Sequence, residues 1–198
     1  MPFPVSLREK GTEMKIFATK KRIAAVIIVA LIILGALPFL IMYSGIYSVS
    51  MLNQDNALVN WMLDTGMTRS VQHHAKGIQA PDLSAAAKIQ MGFSHFNQMC
   101  VACHGAPGAP PDEISAGIWP RAPYLPDTVS DWTPGELFWL TKNGIKFTAM
   151  PAWGPSHSDE QIWAIVAFLE RLPKTTDAEY EAMVKKDKGK PMPEDPAN

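Results

Sequence analysis

The sequence predicts an all-α protein in which a single transmembrane helix precedes a small helical domain. A run of 21 uncharged residues, 23–43, follows a basic N-terminal segment. Apolar residues recur at helical spacing in several later segments, and no convincing strand pattern appears. The formal net charge of −1 gives no indication of nucleic-acid binding, and two cysteines are too few for a disulfide framework.

The uncharged run is long enough to span a bilayer, because a helix rises ~1.5 Å per residue and the hydrocarbon core is ~30 Å thick. Residues 1–22 carry six Lys/Arg against two Glu, and the next positive charge is Arg69. Positive charge stays on the cytoplasmic side, so we expect a single-pass inner-membrane protein with a cytoplasmic 1–22 segment, a transmembrane helix at 23–43 and a periplasmic remainder. The long apolar core and the lack of a small-x-small site argue against a cleaved signal peptide.

Residues 44–80 form a linker that the apolar spacing predicts to be partly helical, with an interruption at Gly66. Three placements are open: the membrane surface, the exported domain or a partner subunit. His73 and His74 resemble a metal-ligand pair, but neighbouring residues on a helix point about 100° apart. We therefore expect them to be ordinary surface or packing histidines.

The compact domain is expected at residues 81–173. Its first helix carries an apolar stripe interrupted by Gly92, whose missing side chain suggests the close approach of another helix. Capping boxes at Thr133–Glu136 and Ser158–Gln161 predict the starts of two further helices. The charged, proline-containing segment 174–198 is predicted to be a flexible tail, either mobile or bound to a partner.

The only two cysteines of the chain lie in the sequence Cys100-Val-Ala-Cys103-His104. This C-x-x-C-H pattern is the signature of covalent c-type haem attachment, with two thioether bonds and an axial histidine. A structural zinc site would need four ligands, and a thioredoxin-like dithiol would need a βαβ setting. The pattern therefore predicts one covalently bound haem c, which also supplies the core that a small, loop-rich domain lacks.

A sixth ligand to the haem iron is best sought by position among eleven methionines. Met91 and Met99 are too close to the motif in sequence to reach the opposite side of the ring, and Met183 and Met192 lie in the charged segment. Met150 falls in a loop between two predicted helices and is followed by a stiffening proline. We therefore predict His104 and Met150 as the two axial ligands of the iron.

Residues 84–172 resemble a class I cytochrome c domain in five features, which are Gly92, Phe96, the Cys100–His104 motif, the Met150-Pro151 loop and the Phe168-Leu169 pair. The resemblance implies a small cytochrome c domain around one covalent haem, with the first helix crossing the last at Gly92 and one haem edge exposed. It also implies that a proline carbonyl orients His104, for which Pro110, Pro120 and Pro123 compete. Arg121 and Trp153 are candidates for contacts with the haem propionates or the pocket wall, and packing roles are equally open.

An iron with both axial positions filled has no vacancy for a substrate, which favours one-electron transfer over catalysis. We expect a membrane-anchored monohaem c-type cytochrome, either a carrier or the cytochrome subunit of a respiratory complex, rather than an enzyme by itself. The resemblance suggests a quinol- or dehydrogenase-type donor and a terminal oxidase as acceptor. Two alternatives stay open: a structural or assembly subunit stabilised by haem, and a gas-binding or gas-sensing haem protein if Met150 is not a ligand.

Overall fold

The computed structural model describes residues 5–52, 56–189 and 191–193, with side chains from Thr19 onward. The chain divides into two compact units, residues 1–50 and 51–198. The α-helices of the described residues are α1 (Val5–Ser44), α2 (Ala57–His74), α3 (Ala86–Met99), α4 (Val101–His104), α5 (Glu113–Ala116), α6 (Leu125–Thr128), α7 (Pro134–Asn143), α8 (Asp159–Arg171) and α9 (Asp177–Asp187). Single 3-10 turns occupy Val129–Asp131 and Leu172–Lys174. The described residues contain no β-strand, as the sequence predicts.

The first unit consists mainly of α1. The part from Thr19 to Ser44 is long and apolar enough to cross a membrane by length and composition. Its side chains are exposed throughout, so they are not covered by a protein core. The helix begins at Val5, and it therefore extends through most of the segment expected to precede the span.

The core of the second unit forms where α3 crosses α8. A Cβ atom at Gly92 of α3 would collide with the backbone carbonyl of Ala164 in α8, so the glycine permits an approach that no other residue allows. Beside the crossing, the ring of Phe93 stands edge-on to Phe168 with centroids 5.3 Å apart. The close crossing inferred from Gly92 is thus confirmed.

Both predicted capping boxes are present. Thr133 begins α7 and Ser158 begins α8, and each side chain accepts a hydrogen bond from the backbone N–H three residues later. In turn, the side chains of Glu136 and Gln161 accept hydrogen bonds from the backbone N–H groups of Thr133 and Ser158. The loop that connects α7 to α8 therefore begins after Asn143 and ends at the cap residue Ser158.

Helix α2 is continuous from Ala57 to His74, so the predicted interruption at Gly66 is wrong. A single glycine costs about 1 kcal/mol relative to alanine and does not by itself end a helix. The C-terminal half of α2 packs on α7, where the His74 ring stacks on Trp139 at 5.5 Å and 9°. This contact agrees with a packing role for His74.

The flexible tail predicted from residue 174 is contradicted over α9. Thr176 and Glu179 form a third capping box, and Tyr180 is buried against Phe93 with ring centroids 5.5 Å apart. The Tyr180 hydroxyl donates to the side-chain oxygen of Asn97, 3.0 Å away. Because the segment is rich in charged residues, its sequence did not indicate a helix that packs its inner face on the core. Residues 190 and 194–198 lie outside the described part of the chain.

Candidate functional site

The C-x-x-C-H motif lies on a sharp turn directly after α3. Cys100 separates α3 from α4, and its carbonyl accepts hydrogen bonds from the N–H groups of Cys103 (3.1 Å) and His104 (3.0 Å). Gly105, at φ 66° and ψ 177°, ends the turn in a region of backbone space that is nearly restricted to glycine. The structure therefore gathers both cysteines and the histidine within one helical turn, as the spacing predicts.

The His104 ring is held in place by a backbone carbonyl. Its Nδ1 atom lies 2.8 Å from the carbonyl oxygen of Pro123, so Nδ1–H donates and Nε2 keeps its lone pair. Burial lowers the pKa of His104, and the hydrogen bond to Pro123 opposes this in part. The neutral imidazole that a metal requires is thereby favoured, and Pro123 holds the ring rather than Pro110 or Pro120.

The two thiols are free and half-buried. Burial, and next the neighbouring Cys103, raise the pKa of the Cys100 thiol to about 12. Redox-active dithiols instead have a lowered pKa, because the thiolate is the reactive form. The setting of Cys100 therefore argues against a redox-active dithiol.

Met150 lies in the loop that joins α7 to α8, and its side chain is half-buried. The loop is fixed by local hydrogen bonds: the N–H of Met150 donates to the Thr148 hydroxyl (3.1 Å), and its carbonyl accepts from Ile145 N–H (3.2 Å). Gly144, at φ +63°, lies so close that a Cβ atom there would be 2.7 Å from the Met150 carbonyl oxygen. The backbone of Met150 is thus positioned by contacts that the sequence alone did not reveal.

Behind this loop, aromatic rings form a chain into the core. The His157 ring meets Trp153 edge-on at 5.4 Å and His95 at 5.2 Å. Trp153 is half-buried, whereas Arg121 is exposed. His95 is fully buried, and neither ring nitrogen has a hydrogen-bond partner among the described residues. Sequence reasoning missed His95, because its place on the apolar stripe of α3 was the only signal.

Phe147 is a second residue that the sequence did not single out. It has a positive φ of 62°, which is rare for a bulky side chain, and its ring is 94% exposed. It lies three residues before Met150, so the loop that contains Met150 also carries a solvent-exposed aromatic ring.

The residues present fit a covalently attached haem. Two unbridged thiols stand on one turn, and the adjacent imidazole has one nitrogen held by Pro123 and the other available. Cys100 and Cys103 would hold the group through thioethers, and His104 would ligate its iron. Met150 is the candidate for the opposite axial position.

Comparison with known proteins agrees with this chemistry. Residues 87–169 match the family model described as cytochrome c oxidase, cbb3-type, subunit III. No curated protein and no solved structure matches the chain. The matched segment runs from α3 to α8 and contains the motif turn, the Pro123 contact and the Met150 loop.

Proposed function

We propose, from the class I c-type cytochrome domain supported at residues 87–169, that this chain is a membrane-anchored monohaem cytochrome that carries single electrons at the periplasmic face. It acts as a mobile carrier or as the cytochrome subunit of a respiratory complex. The family match favours a partner of the oxidase type, and a quinol- or dehydrogenase-type donor is consistent with the anchor. The domains are proposed as a cytoplasmic N-terminal segment (1–22), a span (23–43), a linker (44–80) and a cytochrome domain that begins at residue 81 and includes α9.

The observation that carries this proposal is the hydrogen bond between His104 Nδ1 and the Pro123 carbonyl, on the turn that also presents Cys100 and Cys103. The bond fixes both the tautomer and the orientation of the imidazole, which is the usual second contact of a metal-binding histidine. Because Nδ1 is bonded to Pro123, the lone pair of His104 Nε2 is left for a metal, next to two thiols that form no disulfide.

Each side chain of the site has a definite task. Cys100 and Cys103 would hold the group covalently, and His104 and Met150 would ligate its iron. When bound, the haem supplies a one-electron iron couple, and His/Met ligation raises its reduction potential. Pro123 keeps the His104 ring oriented, and the hydrogen bonds of the Met150 loop keep the methionine backbone in place.

The ligand assignment is tested by replacing Met150 with leucine and Met183 with leucine as the matched control. Met183 packs against the core from α9 and is half-buried like Met150. The full chain is purified from membranes, and its reduction potential and carbon monoxide binding are measured. We expect M150L to lower the potential and to bind carbon monoxide, while M183L behaves like the wild type. Carbon monoxide binding by the wild type would instead favour the gas-binding alternative.

The mode of action is tested by extracting native membranes with mild detergent and staining a native gel for haem. A haem band near the size of the chain indicates a mobile carrier. Haem that migrates with a much larger assembly indicates a fixed subunit, whose companions identify the partners. Retention of redox turnover after loss of this haem would favour a structural role. If the purified polypeptide retains no haem, the proposal is wrong.

A further inference from the structure

The first half of α2 exposes large apolar side chains to solvent. Leu58, Trp61 and Met62 are 65%, 63% and 58% exposed, and their spacing places them on one side of the helix. We call these three residues the outer stripe. Leu63, also 58% exposed, extends the apolar surface sideways. Such a cluster of exposed apolar side chains indicates a surface that binds a membrane or another protein.

The outer stripe is separate from the face that α2 uses to pack on its own domain. Val71 is the buried residue of that inner face, with 1% exposure, and Ala75, directly after the helix, is 8% exposed. At 100° per residue, Val71 lies about 140° around the helix from Leu58 and about 180° from Met62. Trp61 lies nearer to it, at about 80°, on the edge of the stripe. The helix therefore has two apolar faces, and packing on the domain accounts for only one of them.

The exposed half is a properly formed helix rather than a frayed end. The side chain of Asn56 caps it by accepting a hydrogen bond from Val59 N–H at 3.0 Å. The docked half is held by the stacking of His74 on Trp139. Because the two halves form one continuous helix, whatever binds the outer stripe also constrains the domain.

The chain itself indicates what covers the stripe. Twelve residues, 45–56, connect the apolar span to α2. They reach at most roughly 42 Å at about 3.5 Å per residue, so the stripe is always near the bilayer that the span would occupy. Between residues 23 and 63 the sequence has one charged residue, Asp55. Tryptophan is also enriched at the boundary between lipid and water.

We propose that the outer stripe of α2 inserts into the outer lipid interface of the membrane that anchors the chain. The inner face of the same helix holds the cytochrome domain, so α2 sets the height and orientation of that domain above the bilayer. The tether raises the effective concentration of lipid at the stripe, so that a modest apolar area suffices for binding. This inference rests on the proposed membrane anchoring.

The test places a nitroxide spin label on the full, haem-loaded chain in vesicles of phosphatidylethanolamine and phosphatidylglycerol. Haem attachment consumes both native cysteines, so each variant has one reactive thiol. Met62→Cys reports on the outer stripe, Leu34→Cys on the span, and Glu170→Cys on an exposed charged position of α8. Collision of the label with oxygen, which prefers lipid, is compared with collision with a water-soluble nickel chelate. An unchanged haem spectrum verifies that each variant is folded.

We expect the oxygen-to-nickel ratio at position 62 to exceed that at position 170 several-fold and to approach that at position 34. A ratio at position 62 equal to that at 170 overturns the inference while leaving the anchor intact. Low collision with both reagents at position 62 indicates a protein contact, such as a second copy, and also overturns it. A water-accessible label at position 34 refutes the anchoring itself, and the inference with it.

Discussion

His95 is a fully buried imidazole without a hydrogen-bond partner among the described residues. Burial, and next the nearby His157, lower its pKa to about 4 from the ordinary 6.5. The unfolded chain therefore binds a proton between these pH values that the folded protein does not. The free energy of unfolding is therefore unaffected by His95 above pH 6.5 and decreases as the pH falls from 6.5 toward 4. Below pH 4 the decrease amounts to at most about 3 kcal/mol.

Replacing His95 with leucine removes this titration. We expect the thermal midpoint of the detergent-solubilised chain to fall less steeply between pH 6.5 and 4 in H95L than in the wild type. Ile162→Leu, a buried change without an ionisable group, provides the control and should keep the wild-type slope. Parallel pH profiles for H95L and the wild type would show that His95 does not titrate in this range.

Gly144 is the residue on which the Met150 loop depends most closely. Its φ of +63° and ψ of −170° lie in a region nearly restricted to glycine, and a Cβ atom would be 2.6 Å from the Pro151 carbonyl carbon. Gly144→Ala should shift the Met150 backbone, weaken axial ligation, lower the reduction potential and permit carbon monoxide binding. Gly117→Ala, whose Cβ meets its nearest atom at 3.8 Å, should change none of these. A wild-type potential in G144A would mean that the loop absorbs the added methyl group.

Two glycines inside helices have opposite surroundings, which makes them a matched pair. A Cβ at Gly92 would collide with Ala164, whereas Gly66 has no atom within 4 Å of such a position. Gly92→Ala should destabilise the domain by about 1–3 kcal/mol through overpacking. Gly66→Ala should stabilise α2 by up to about 1 kcal/mol, because alanine is the better helix former. Thermal unfolding of the two variants measures both signs, and stabilisation by G92A would contradict the close crossing.

Helix α9 stabilises the domain through its inner face. Asp187 accepts a hydrogen bond from the Ser94 hydroxyl at 2.6 Å, and Tyr180 bonds Asn97 while packing on Phe93. Tyr180→Phe should cost about 1 kcal/mol for the lost hydrogen bond, and Tyr180→Ala about 3–5 kcal/mol for the lost packing. Unfolding measurements distinguish the two losses. Wild-type stability of Y180A would mean that α9 is dispensable, as the sequence-based interpretation of a tail implied.

The sequence predicted those elements whose signals are local. The capping boxes at Thr133 and Ser158 define helix starts within four residues, and the motif turn at Cys100 depends on spacing alone. The inner face of α9 was missed because Tyr180 and Val184 stand among charges, and only contact with α3 decides their burial. Likewise Pro123 could not be chosen among three prolines, because the choice depends on the path of the whole loop back to His104.

At the scale of the whole molecule, the apolar first unit and the second unit, which contains the candidate haem site, differ in composition and in the function we propose for them. The second unit has its own core and is compact without the first. A chain that begins at residue 45, exported behind a cleavable signal peptide, should therefore fold, attach haem and show the same spectrum and reduction potential as the full chain. Its exchange of electrons with a small soluble redox reagent should also be unchanged, because the site residues lie entirely in the second unit.

Loss of the span should appear only in reactions with partners in the membrane. The proposed anchoring would confine the second unit near such partners and raise its effective concentration, an effect worth about 10²–10⁴ in typical tethered systems. At equal low concentrations, we expect the chain that begins at residue 45 to restore electron flow in membranes lacking the native protein on the order of 100-fold less effectively than the full chain. Raising its concentration should recover the rate, since the residues of the candidate haem site are all retained. Equal activity of both forms at low concentration would mean that the partner binds the domain tightly enough to make the anchor unnecessary.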